Sequence, residues 1–88
     1  MLQILDIINE KGLHARASAK FVETVEQFDA GAVVRKDGLS AEVDSIMGLL
    51  MLAAANGTSI EVETRGAESL ALADALRDLV ASRFGEAA

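Results

Sequence analysis

His14 and Ser45 are the side chains of this sequence whose type and setting suit chemistry. His14 is the one histidine, and so the one side chain that ordinarily changes charge near neutral pH. It stands where Gly12 delivers the chain into a helical pattern, and Arg16 follows two residues later. Two uses fit that position. The residue can be a surface histidine or weak helix cap with no further role. It can also be a nucleophile, because the unpaired amides and the dipole of a helix start favour an anion and disfavour an imidazolium. The ring then stays neutral and offers a nitrogen lone pair. A phosphoryl group taken up there would carry close to two negative charges. The helix amides and the Arg16 guanidinium suit such a charge. Lys11 and Lys20 flank the same helix start and add positive potential.

Ser45 follows Asp44 and opens the run Ile46–Ala55, where a serine is an ordinary N-cap. The run it opens is less ordinary. It holds Ile46, Met47, Leu49, Leu50, Met51 and Leu52 without a single charge, so it is apolar on every side. A short surface helix cannot bury all of them, and Ile46, Met47 and Leu50 are expected to form an exposed apolar patch for a partner. Methionine suits a surface that must fit more than one partner. A phosphate on Ser45 would place charge at the edge of that patch, which is the layout of a switch.

The remaining charges read as solvated surface, with Glu61 and Glu63 on one strand face rather than in an acid–base dyad. Gly31 and Gly38 lack the pattern of a nucleotide loop, and no Gly-Lys-Ser/Thr is present. With 88 residues the chain is expected to form one domain, residues 1–88. A net charge of −6 argues against nucleic acid and anionic membrane surfaces, both of which attract basic stripes. The absence of cysteine excludes thiolate metal sites and a thiol nucleophile, and one histidine excludes the two-histidine zinc sites. No metal is therefore expected. No apolar stretch reaches membrane-spanning length and no leader pattern precedes Asn9, so the expected location is the cytoplasm, without membrane insertion.

Several elements must position these residues. Leu2–Ile8 reads as a strand ended by Asn9-Glu10-Lys11-Gly12. Ala15–Phe28 places Phe21, Val22, Val25 and Phe28 on one helical face. Asp37-Gly38 between two short extended runs is a hairpin signal. The run Ile46–Ala55, closed by Asn56-Gly57, reads as a short helix, and Ser59–Thr64 alternates as a half-buried strand. Ala67–Phe84 carries the stripe Leu72, Ala73, Leu76, Leu79 and Val80. The order is βαββαβα. The economical packing is an α+β open-faced β-sandwich, a four-stranded, mostly antiparallel sheet with three helices on one face.

Gly12-Leu13-His14-Ala15-Arg16 resembles the active-site motif of HPr, the histidine phosphocarrier of the bacterial phosphoenolpyruvate-dependent phosphotransferase system. Asp44-Ser45-Ile46-Met47-Gly48 resembles that family's second signature, in register over the whole chain. The resemblance implies that His14 accepts a phosphoryl group on Nδ1 from phosphorylated enzyme I and passes it to enzyme IIA proteins, with Arg16 stabilising it. The group derives from phosphoenolpyruvate, so no cofactor is implied. Partners would dock on Lys11, Ala15, Ala17 and Ser18 around His14, and on Ile46, Met47 and Leu50. Ser45 matches the serine modified by HPr kinase/phosphorylase. Transient partners imply a monomer.

Two departures stand out. Ala17 replaces the family's usual proline, which gives a less rigid helix start and one more amide donor for phosphate. Lys11 replaces a common asparagine, removing an amide that would orient the histidine. Both resemble the nitrogen-type branch, whose output is regulation rather than sugar uptake. Other readings fit less well. An acyl carrier protein also bears an Asp-Ser pair at a helix start, but it is a helical bundle with an acidic recognition helix. A regulatory module using Ser45 alone would not need His14. A freestanding enzyme would need a substrate pocket and more than one titrating group.

Overall fold

A computed structural model describes residues 1–87. Its elements run β1 (Leu2–Asp6), α1 (Ala15–Glu26), β2 (Gly31–Lys36), β3 (Leu39–Glu42), α2 (Ile46–Leu50), β4 (Ser59–Arg65) and α3 (Ser69–Ala81). The strands form one sheet in the order β1-β4-β2-β3, with every neighbouring pair antiparallel. This is the expected open-faced sandwich. Register sets the two faces: Leu5 pairs with Ile60 and Val34 with Val62, and all four side chains are buried beneath the helices. Ile4 pairs with Glu61 and Val33 with Glu63 on the opposite face, where Arg35 bridges both glutamates. A slip of one residue would exchange these faces, so the alternation of β4 fixes the register.

The helix face closes over Phe21, Val22 and Val25 from α1 and Leu72, Leu76 and Val80 from α3. The Asp37-Gly38 turn joins β2 to β3 as expected, with φ of 51° and 81°. Among the described residues, no helix is long and apolar enough to cross a membrane.

Two expectations on length are corrected. The second helix stops at Leu50 rather than continuing to Ala55, and Ala53 has a φ of 50°. The cause is long-range. Ala54 O accepts from Leu13 N at 2.8 Å, Asn56 Nδ2 donates to Asn9 O at 3.3 Å, and Gly57 N donates to Ile7 O at 2.9 Å. These bonds pull residues 53–57 against the loop before α1, and a helix cannot supply them. The last helix stops at Ala81 rather than Phe84. Arg83, Phe84 and Gly85 all take positive φ, 57°, 54° and 76°, and the resulting tight turn buries Phe84.

Candidate functional site

Gly12 and the segment behind it place His14. Gly12 has a φ of 67°, and a Cβ there would lie 2.5 Å from Ala54 O. The chain therefore passes so close to residues 54–55 that only glycine fits. Leu13 buries its side chain beside that contact, and His14 follows as the extended residue that starts α1. Its Nδ1 accepts a hydrogen bond from Arg16 N at 3.2 Å, and its backbone O accepts from Ser18 N at 2.8 Å. The ring both caps the helix and stays partly open, with 27% of its side chain exposed.

The other ring nitrogen has a partner that the sequence did not disclose. Nε2 lies 2.5 Å from Glu86 Oε2, and Glu86 Oε1 accepts from Asn9 Nδ2 at 3.2 Å. Asn9 is fully buried and also donates to Gly12 O at 2.7 Å. The hydrogen bond from His14 holds the Glu86 carboxyl below the usual carboxylate range, with help from Asn9 and Lys11 and against the partial burial of the group. An ionised carboxylate only accepts, so the proton in this contact belongs to Nε2. An amide N–H directed at Nδ1 requires a lone pair there. The two contacts therefore select one neutral tautomer, with Nδ1 unprotonated.

Lys11, Ala15 and Arg16 line an open cleft of about 320 Å³ with His14 and Glu86. Lys11 and Arg16 are exposed, and neither forms an ion pair among the described residues. Two cations thus line the same cleft as the His14 ring, a setting that suits an incoming anion with several oxygens. Lys20, expected to flank the site, does not line this cleft. Its Nζ donates to Phe84 O at 2.5 Å and ties down the last turn.

The expected docking residues divide. Ala15 and Lys11 are exposed beside His14, but Ala17 and Ser18 are both fully buried. They lie on the inward side of α1, where Ser18 Oγ donates to Leu13 O at 3.1 Å, so they present nothing to a partner. The extra amide of Ala17 is likewise beneath the surface and is no donor to a surface phosphate. On α2, Ile46 and Met47 are exposed, 39% and 67%, and Leu50 is half-buried. Met51, outside the docking residues that the sequence suggests, extends the patch at 75%. Ser45 occupies the N-cap position, yet its side chain makes no capping hydrogen bond. It is exposed.

The chain matches the family model described as "PTS HPr component phosphorylation site" over residues 3–82. The phosphocarrier protein HPr of Neisseria meningitidis serogroup B is 51% identical over 84 residues, covering 96% of this chain and 94% of that protein. The phosphocarrier protein NPr of Escherichia coli K12 is 40% identical over 85 residues, with 96% and 94% covered. Among solved structures, HPr-C-His from Thermoanaerobacter tengcongensis superposes with a TM-score of 0.94 at 34% identity, covering 100% of this chain and 99% of that one.

Proposed function

The chain belongs to the HPr family, whose members carry phosphoryl groups and are not freestanding catalysts, and from that premise we propose that His14 Nδ1 is the atom that carries. The observation that supports this most directly is the pair of hydrogen bonds on the ring, Arg16 N to Nδ1 and Nε2 to Glu86. Nδ1 keeps its lone pair at the edge of a cleft flanked by Lys11 and Arg16. The family works with partners of the phosphotransferase system. In our reading the donor is phosphorylated enzyme I and the acceptor an enzyme IIA protein, with no cofactor beyond the phosphoryl group itself.

Phosphoryl transfer runs through a loose transition state stabilised chiefly by position and positive charge. Arg16 supplies a planar fork for two phosphoryl oxygens, and Lys11 supplies a mobile point charge. Partners dock on Lys11 and Ala15 and on the apolar surface of Ile46, Met47 and Leu50, which Met51 continues. Ser45, with its hydroxyl outside any capping bond, is the site at which a kinase of the HPr kinase/phosphorylase type regulates docking. The carrier acts in the cytoplasm as a monomer. Lys11 and Ala17, in place of the common asparagine and proline, favour the nitrogen-type regulatory branch.

The test is phosphorus-31 NMR of the protein with phosphoenolpyruvate, magnesium and catalytic enzyme I. The expected signal is an acid-labile, alkali-stable phosphohistidine, absent in His14→Ala. With an enzyme I shown to be active on another carrier, no signal from the wild-type chain would end the reading.

A further inference from the structure

We propose that Glu86 is a positioning residue for phosphoryl transfer, fixing the Nε2 proton of His14 and offsetting the charge that the ring gains when Nδ1 binds phosphorus. The inference rests on His14 as the acceptor. Glu86 lies beyond residue 82, where the family match ends, so the role is argued from this chain's own residues.

The carboxylate is held at both oxygens. Oε2 meets Nε2 of His14, and Oε1 accepts from Asn9, a side chain with 0% exposure. The backbone leading to it is equally fixed. Phe84 is 1% exposed, Lys20 Nζ holds Phe84 O, and Glu86 N donates to Arg83 O at 2.9 Å. Three successive residues in the left-handed region turn the chain back toward His14. Two of them, Arg83 and Phe84, are not glycine, and each is strained in that conformation. Burial of Phe84 offsets that strain, and the turn it fixes delivers Glu86 to the ring.

The step balances without moving a proton. The Nδ1 lone pair gives up the Arg16 N–H and forms the N–P bond, the bond from phosphorus to the donor atom breaks, and its electron pair remains with the donor. The ring becomes a phosphoimidazolium that keeps its Nε2 proton, and the Glu86 carboxylate sits against that positive charge. On delivery to the acceptor, the N–P electron pair returns to Nδ1 and the ring is neutral again. A carboxylate that orients a histidine and stabilises its cationic form is an established device in nucleophilic catalysis.

The experiment uses the full chain with nitrogen-15-labelled histidine, enzyme I and phosphoenolpyruvate. In the wild type a low-field Nε2 proton should be visible with Nδ1 unprotonated. Glu86→Ala should lose that proton signal and lower kcat for phosphoryl acceptance about tenfold with KM within about twofold, as expected when a charged hydrogen bond made to the reacting ring is removed. Glu86→Gln, which can still accept from Nε2 but carries no charge, should retain the proton signal and fall between the two in rate. The proposal is overturned if Glu86→Ala keeps the proton signal, or if its kcat stays within twofold of wild type. A rise in KM alone would also overturn it, since that would make Glu86 a docking residue. Failure of the wild-type chain to form phosphohistidine removes the premise as well, and is recognised before any variant is compared.

Discussion

Gly12→Ala perturbs the site through the backbone without touching any group that meets phosphate. Two costs can be worked out. Gly12 has a φ of 67°, and placing a side chain in the left-handed region costs about 1–2 kcal/mol. The new Cβ would also lie 2.5 Å from Ala54 O and 2.9 Å from Ala55 Cα, both of them backbone atoms that cannot swing away. Relief requires the two segments to part, which stretches the 2.8 Å bond from Leu13 N to Ala54 O. Losing a buried hydrogen bond of this kind costs roughly 1–2 kcal/mol. The sum is about 2–4 kcal/mol, or a fall in Tm of roughly 10–30 °C for a domain of this size. Gly38→Ala is the control, because its φ is 81° but a Cβ there meets nothing within 4 Å. It carries the conformational cost alone. With no tryptophan or tyrosine in the chain, urea unfolding is best followed by far-ultraviolet circular dichroism. Gly12→Ala should be the less stable variant by at least about 1 kcal/mol, the share assigned to the parted segments. It should also accept phosphoryl groups more slowly at temperatures where it remains folded, because His14 is two residues away. Equal stability of the two variants would refute the claim that residues 54–55 hold the His14 loop in place.

Other outcomes follow from exposure and charge. Arg16→Ala should slow phosphoryl acceptance about tenfold or more, the scale of a lost charge-assisted contact, with an unchanged circular-dichroism spectrum. Arg16 is exposed and makes no ion pair among the described residues, so unfolding of the variant would contradict this. Ser45→Asp should raise KM for enzyme I about tenfold, equivalent to about 1.4 kcal/mol, with little change in kcat. An unchanged KM would make Ser45 irrelevant to docking. Glu86 has a carboxyl depressed in the folded protein, so its stabilising contact is fully present above the ordinary carboxylate pKa and is lost as pH falls through the lower folded value. Wild type should therefore exceed Glu86→Gln in Tm near neutrality and converge with it in acid. A constant difference across that range would show that the ionised carboxylate contributes nothing.

Much of the fold was legible because its signals are local. The Asp37-Gly38 turn needs two residues at positive φ, and the alternation Ile60-Glu61-Val62-Glu63 declares which face of β4 is buried. The second helix is shorter than its sequence suggests for a physical reason: an all-apolar run has no period, so nothing in Ile46–Ala55 marks where helix gives way to a segment paired with a distant loop. Ala17 and Ser18 were misplaced because nearness to His14 in sequence is not nearness on the surface. On a helix, residues three and four beyond the cap turn inward whenever the core lies there. Glu86 left no trace at all, since its contact with His14 spans 72 residues and depends on a turn in which two of the three left-handed residues are not glycine.

That distance bears on how a carrier can work with so few groups. The nucleophile, the amide that fixes Nδ1, and both cations come from one stretch, Lys11–Arg16, so local structure alone could assemble an anion perch. Such a perch would hold phosphate by positive charge only, and every added cation would make the next transfer harder. The structure adds a carboxylate at the other ring nitrogen, held by Asn9 and by the turn after α3. A negative group there favours the positive charge that the ring gains on binding phosphorus, without contributing a donor to the phosphoryl oxygens. Removing it should therefore change how readily the ring takes up and releases the group more than how tightly partners bind. That is the reason the kcat and KM effects of Glu86→Ala are expected to separate, and why those of Ser45→Asp should separate in the opposite sense.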